Sequence, residues 1–145
     1  MHITFRMKLI PLVAMALLLG CTMPTESRAE TESSSCSRID RSLSEEHKTA
    51  LATAIAKQLN AKNVNVLRSF KSGDWSIINV DSHEADEAFL FYEGDPLTNL
   101  YIALWSGAAT TDEEADVRNW AIKNAPKIPP HLASCFAWYV TKGRN

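Results

Sequence analysis

The sequence predicts an α+β domain, with a four-stranded antiparallel meander and an N-terminal helix and two C-terminal helices packed on one face. Three observations carry this reading. Leu51, Ile55 and Leu59 recur at four-residue spacing ahead of any β-prone segment. Four short β-prone runs then follow, with turn residues between them. Two further helical segments close the chain, so strands and helices are segregated rather than alternating. The folded part is placed at residues 38–145, a length that suits one domain with a single core, and no internal repeat is present.

The elements are justified in order. Ser42 followed by Glu45 reads as a capping box, and Ala50 and Ala54 widen the apolar stripe of a helix over 43–60. Val64, Val66, Leu67 and Phe70 form a β-prone run. Lys71-Ser72-Gly73-Asp74 supplies hairpin turn chemistry, and 75–80 is the partner strand. Ala88-Phe89-Leu90-Phe91-Tyr92 is too short for a helix and is stopped by Glu93-Gly94-Asp95-Pro96, so it reads as a strand covered on both faces or nearly so. The fourth strand is placed at 99–105, ending at Ser106-Gly107, and the short connections make a meander.

Thr111 caps the second helix, with Asp112, Glu113 and Glu114 in its first turn and Lys123 near its end, where the helix dipole favours those charges. Val117, Trp120 and Ala121 form its apolar face, and Pro126 stops it. Pro129-Pro130 opens a third helix through Leu132, Cys135, Phe136 and Tyr139 to Gly143, although 136–141 suits a fifth strand equally well.

An uncharged apolar run from Leu9 closes at Leu18-Leu19-Gly20-Cys21. This ending resembles the lipobox of bacterial lipoproteins, and the resemblance covers only the first fifth of the chain. Lys8 directly follows Met7, so Met1 and Met7 are both candidate starts. The run is shorter than the about 20 apolar residues that span a bilayer and reads as a signal peptide, residues 1–20. The resemblance implies cleavage before Cys21 and a diacylglyceryl group on its thiol. Thr22 is not the aspartate that retains such proteins in the inner membrane, which implies an outer-membrane anchor facing the periplasm. Residues 21–37, the lipidated cysteine and a stretch rich in Ser, Thr and Glu, read as a flexible tether.

With Cys21 lipidated, Cys36 and Cys135 remain, and an oxidising compartment favours their disulfide. Closing a loop of about 100 residues is worth up to about 4.7 kcal/mol in the chain-entropy model. Two unpaired thiols, with Cys135 a buried small hydrophobe, is the alternative.

Loss of residues 1–20 removes Arg6 and Lys8, which leaves 13 basic and 17 acidic side chains and a net charge of −4. That disfavours nucleic acid, whose binding needs clustered cations. The chain lacks a phosphate-binding Gly loop, a His-Glu-x-x-His helix, a Cys-x-x-Cys pair and a Gly-x-Ser-x-Gly elbow, so no catalysis, cofactor or metal is expected. Asp81-Ser82-His83-Glu84 with Asp86 and Glu87 is the cluster whose composition suits a metal, but a charged, glycine-free connection is also what a solvated loop looks like. Cys135 lies four residues from His131, but Cys36 competes for its thiol. His47 reads as a surface residue.

From Ser72 to Val117 there are eleven acidic residues and no Lys or Arg, a single-sign pattern that steers basic partners. Aromatics concentrate in the same half of the chain, and Tyr or Trp at a sheet rim makes a typical interface anchor. The candidate partner-binding set is therefore Asp81, Glu84, Asp86, Glu87, Glu93 and Asp95 around an exposed Tyr92 or Trp105. The expected function is a membrane-anchored inhibitor or immunity-type protein acting on a basic envelope-directed toxin or envelope enzyme, and the layout resembles lipoprotein immunity proteins in general arrangement only. One alternative is a structural or assembly lipoprotein of the envelope. Another is a small-ligand binder or hydrolase using His83, Tyr92 or Asp95 between sheet and helices.

Overall fold

The computed structural model describes residues 34–144. The signal peptide, Cys21 and most of the tether lie outside the described residues. The fold is α+β, in the order α1 (Glu45–Leu59), β1 (Asn65–Ser72), β2 (Trp75–Asp81), β3 (Ala88–Glu93), β4 (Ala103–Ser106), α2 (Glu114–Asn124), α3 (Pro130–Trp138) and a π-helical turn, Tyr139–Gly143. The strands form one antiparallel sheet in sequence order. Residues 136–141 are helical, which resolves the alternative of a fifth strand.

The helices do not share one face. Leu51 and Ile55 of α1 pack with Val66, Ile78, Val80, Leu90 and Tyr92 on one side of the sheet. On the other, Val117 and Ala121 of α2 and Leu132 and Phe136 of α3 pack with Phe70, Ile77, Phe89 and Phe91. The physical reason is strand alternation: consecutive residues of β2 and β3 point to opposite faces, and the buried apolar residues fall on both, Ile77, Phe89 and Phe91 on one and Ile78, Val80, Leu90 and Tyr92 on the other. A sheet whose central strands are apolar on both sides needs a cover on both sides, and each fully buried Val, Leu, Ile or Phe contributes about 1.5–3 kcal/mol.

β1 needs one irregularity to serve both layers. Val66 pairs with Val80, but Arg68 pairs with Asn79, so Leu67 is an extra residue in a bulge. Val66 consequently faces α1 while Phe70 faces α3, although an even spacing in a regular strand would put both on one face. Gly73 at φ +59° and Asp74 make the two-residue hairpin between Ser72 and Trp75.

Several boundaries differ from expectation. Ser44, not Ser42, caps α1, accepting the His47 N–H at 3.2 Å. Ser42 instead donates through both its N–H and its hydroxyl to Asp40 Oδ1, which holds that carboxyl below its ordinary range. Asn60 in the left-handed region at φ 52° ends the helix, with the Ala61 N–H reaching Ala56 O. Thr111 does not cap α2: Glu113 is its first flanking residue, and Thr110 fixes the Glu113 carboxylate through its N–H at 2.7 Å and its hydroxyl at 2.9 Å.

The fourth strand is four residues rather than seven. Asp95 turns the chain, accepting the Leu97 N–H on its side chain and the Thr98 and Asn99 N–H groups on its carbonyl. Gln58 of α1 then takes the backbone groups a strand would have used, donating to Asn99 O and accepting the Tyr101 N–H. Leu100 is left 75% exposed.

The folded body also begins earlier than residue 38. Cys36 and Ile39 are buried against the α3 layer, Asp40 exchanges two backbone hydrogen bonds with Lys71 at the outer edge of β1, and Cys36 is joined to Cys135 with sulfurs 2.01 Å apart. The terminal segment thereby covers one sheet edge.

Candidate functional site

β4 forms the other edge of the sheet. Trp105 on β4 pairs with Phe89 and points to the α2–α3 side, where its ring meets Trp120 of α2 at 6.0 Å between centroids and 66° between planes. Phe136 lies 6.1 Å from Trp105, and Phe91 lies 5.7 Å from Trp120, so the two indoles cap an aromatic stack that continues into the core. Both remain half-buried. They floor a groove of about 450 Å³ whose other walls include Ala108, Ala109, Glu113 and Asp116. The alanines leave space beside the indoles, and the carboxylates give the rim a negative charge. Trp120, Glu113 and Asp116 are absent from the expected site because the sequence assigns them only to a helix. What could have flagged them is that the last strand of a meander is an edge, and the next helix must pack beside it.

Through Ala108 this groove continues into a second one of about 510 Å³, lined also by Arg68, Asp86, Glu87, Gly107, Tyr139 and Arg144. The connection between β2 and β3 forms its acidic wall. His83 there adopts φ +59°, an uncommon conformation for a residue with a Cβ, and three contacts hold it: its N–H donates to Asp81 Oδ1 at 2.7 Å, Nδ1 lies 3.0 Å from Asp81 Oδ2, and Nε2 lies 2.9 Å from Asn65 Nδ2. A neutral ring protonated at Nδ1 satisfies both ring contacts. His83 and Asp81 thus brace the loop, while Glu84, Asp86 and Glu87 project as exposed carboxylates.

The structure divides the expected partner-binding set. Asp81, Glu84, Asp86 and Glu87 lie at the same sheet end as Trp105, since Ala88 pairs with Ser106. Glu93 and Asp95 lie at the other end of β3, beside the hairpin turn, where the Gly94 N–H donates to Asp74 O. Asp95 spends its carboxylate on the turn described above.

Tyr92 is fully buried and is not available to a partner. It faces α1, and β3 has neighbouring strands on both sides, so neither its face nor its edges reach solvent. Burial pushes its phenol well above the usual tyrosine range, with Tyr101 a secondary cause. His83, Tyr92 and Asp95 therefore do not converge between sheet and helices.

Among the described residues no group of three His, Cys, Asp or Glu side chains could hold a metal. Cys135 is in the disulfide, and His131 Nε2 instead lies 2.6 Å from Ser72 Oγ. That pair has no carboxylate on the other ring nitrogen among the described residues and lines neither groove. No protein-family model, curated protein or solved structure gives a significant match to this chain.

Proposed function

We propose that this protein is a lipid-anchored envelope protein, held at the outer membrane and facing the periplasm, whose domain binds a basic protein partner as an inhibitor or immunity-type protein. The observation that carries the reading is the Trp105–Trp120 groove at the β4 edge, with Glu113 and Asp116 on its rim and Glu84, Asp86 and Glu87 on the neighbouring loop. Half-buried tryptophans supply contact area at small entropic cost, and surrounding carboxylates raise the encounter rate with a cationic surface.

The test begins with the full-length protein extracted in detergent, which is immobilised and used to capture partners from envelope extract and from extract of competing strains. Association with the captured protein should slow as salt rises and slow further with Glu84→Lys, Asp86→Lys and Glu87→Lys combined. Trp105→Ala should act on dissociation and weaken binding by about 2 kcal/mol or more, the range of an interface anchor. An association rate indifferent to both salt and the triple substitution would remove the reading. Phase partition in detergent tests the anchor: Cys21→Ala should move the protein from the detergent to the aqueous phase.

A further inference from the structure

Arg68 and Arg144 are far apart in the chain, one on β1 and one after the π-helical turn, yet both line the second groove. Each guanidinium rests on an aromatic ring. Arg68 lies 5.4 Å from the Tyr139 ring centroid and its Nε donates to the Tyr139 hydroxyl, while Arg144 lies 4.9 Å from the Phe89 centroid and donates to Gly107 O at 3.4 Å. The two rings are themselves in contact at 6.0 Å. The π-helical turn contributes to this convergence, because i→i+5 bonding places residues five apart over one another, as Tyr139 and Arg144 are.

A guanidinium carries five N–H donors in a planar fork, and each of these spends one on the protein. Asp86 and Glu87 line the same groove, yet no carboxylate of the described residues comes within 4.0 Å of either arginine. Opposite charges thus share a groove that Tyr139 and the small Gly107 and Ala108 also line. Long, flexible side chains facing each other would ordinarily close into ion pairs. Here each guanidinium is engaged by a ring and by one protein acceptor, and the arginines and the acids line one groove without an ion pair between them.

We propose that this groove binds a zwitterionic ligand of the amino-acid or short-peptide class, its carboxylate taken by the forks of Arg68 and Arg144 and its ammonium by Asp86 and Glu87. The fork geometry matches a carboxylate bidentately, and the groove's size is in the range of small-ligand sites. This site shares Asp86 and Glu87 with the partner surface proposed above but needs no protein partner, so titration with a small zwitterion tests it separately.

Calorimetric titration of the full-length protein in detergent, with glycine, diglycine and triglycine as probes, tests it. At least one of the three should bind saturably. Acetylating that probe's amine or amidating its carboxylate should each weaken binding about tenfold or more, the loss of one charge-assisted contact. Arg144→Gln should weaken the zwitterion by a similar factor, and so should Asp86→Asn with Glu87→Gln, whose exposed side chains leave the fold intact as read by near-ultraviolet circular dichroism. Absence of binding by all three probes would overturn the proposal. So would equal binding of the acetylated probe, or full displacement by inorganic phosphate with no effect of the Asp86 and Glu87 substitutions, which would make the groove a plain anion site.

Discussion

The Tyr92 hydroxyl donates to Gln58 Oε1 at 3.1 Å, which links the buried tyrosine of β3 to a partly buried side chain in the last turn of α1. The same oxygen accepts the Tyr101 N–H at 3.3 Å, and Gln58 Nε2 donates to Asn99 O at 3.1 Å and Pro96 O at 3.4 Å. One amide therefore uses both donors and both acceptor positions to hold helix, strand and loop together.

Gln58→Leu should destabilise the domain by about 1–3 kcal/mol, because the leucine preserves bulk but leaves a buried phenol and several loop groups unpaired. Denaturant unfolding of wild type and variant measures the difference. The double variant with Tyr92→Phe should recover part of the loss, since it removes one orphaned group. An additive double variant would show that the two residues act separately.

Tyr92 also makes stability fall at alkaline pH. Its folded pKa is raised by burial, so the native state keeps the proton that the unfolded chain releases near pH ~10. Stability from this group is fully present below that pH and is lost as pH rises above it. Tyr92→Phe should flatten the alkaline limb of the stability curve, and in wild type the phenolate absorbance of Tyr92 should appear together with unfolding. Its reversible ionisation in a chain that retains native circular dichroism would contradict this.

Ser76 presents the opposite case. Its hydroxyl is buried on β2 without a hydrogen-bond partner among the described residues. Ser76→Ala removes the desolvated group and should leave stability unchanged or raise it by about 1 kcal/mol, read from the denaturation midpoint. A loss of similar size would mean that the hydroxyl is satisfied in solution.

Removing the Cys36–Cys135 bridge by paired serine substitution should cost about 2–5 kcal/mol, because it releases a 99-residue loop. In a Cys21→Ala background, thiol titration of the denatured, unreduced chain should find no free thiol. Two thiols would refute the bridge.

The outline of this fold was readable wherever a local signal decides the structure. The Leu51–Ile55 stripe, the Gly73-Asp74 turn and the Pro130 helix start all act over a few residues, and each appears where expected. The placement of the helices was legible too: the Phe89–Tyr92 run implies cover on both faces, which is incompatible with all helices on one. The bulge at Leu67 and the shortened β4 were hidden for a different reason. A β-prone run looks the same with or without an extra residue, and nothing local to residues 99–101 reveals that a glutamine 41 residues earlier will take the Asn99 carbonyl. The grooves were hidden for the same reason, since Arg68 meets Tyr139 across 71 positions and Trp105 meets Trp120 only after the edge strand and its helix are packed.

The cover that residues 36–40 provide for β1 also sets how the domain is presented. That segment occupies one margin of the sheet, and the Trp105 groove occupies the opposite margin, four strand spacings or about 19 Å away. A lipid on Cys21 would enter the domain from the first margin, on at most about 50 Å of chain. Cys36 and the two tryptophans thus lie at opposite margins of the sheet, so under the proposed lipid anchor the aromatic margin would be the one farther from the point where the chain leads to the bilayer.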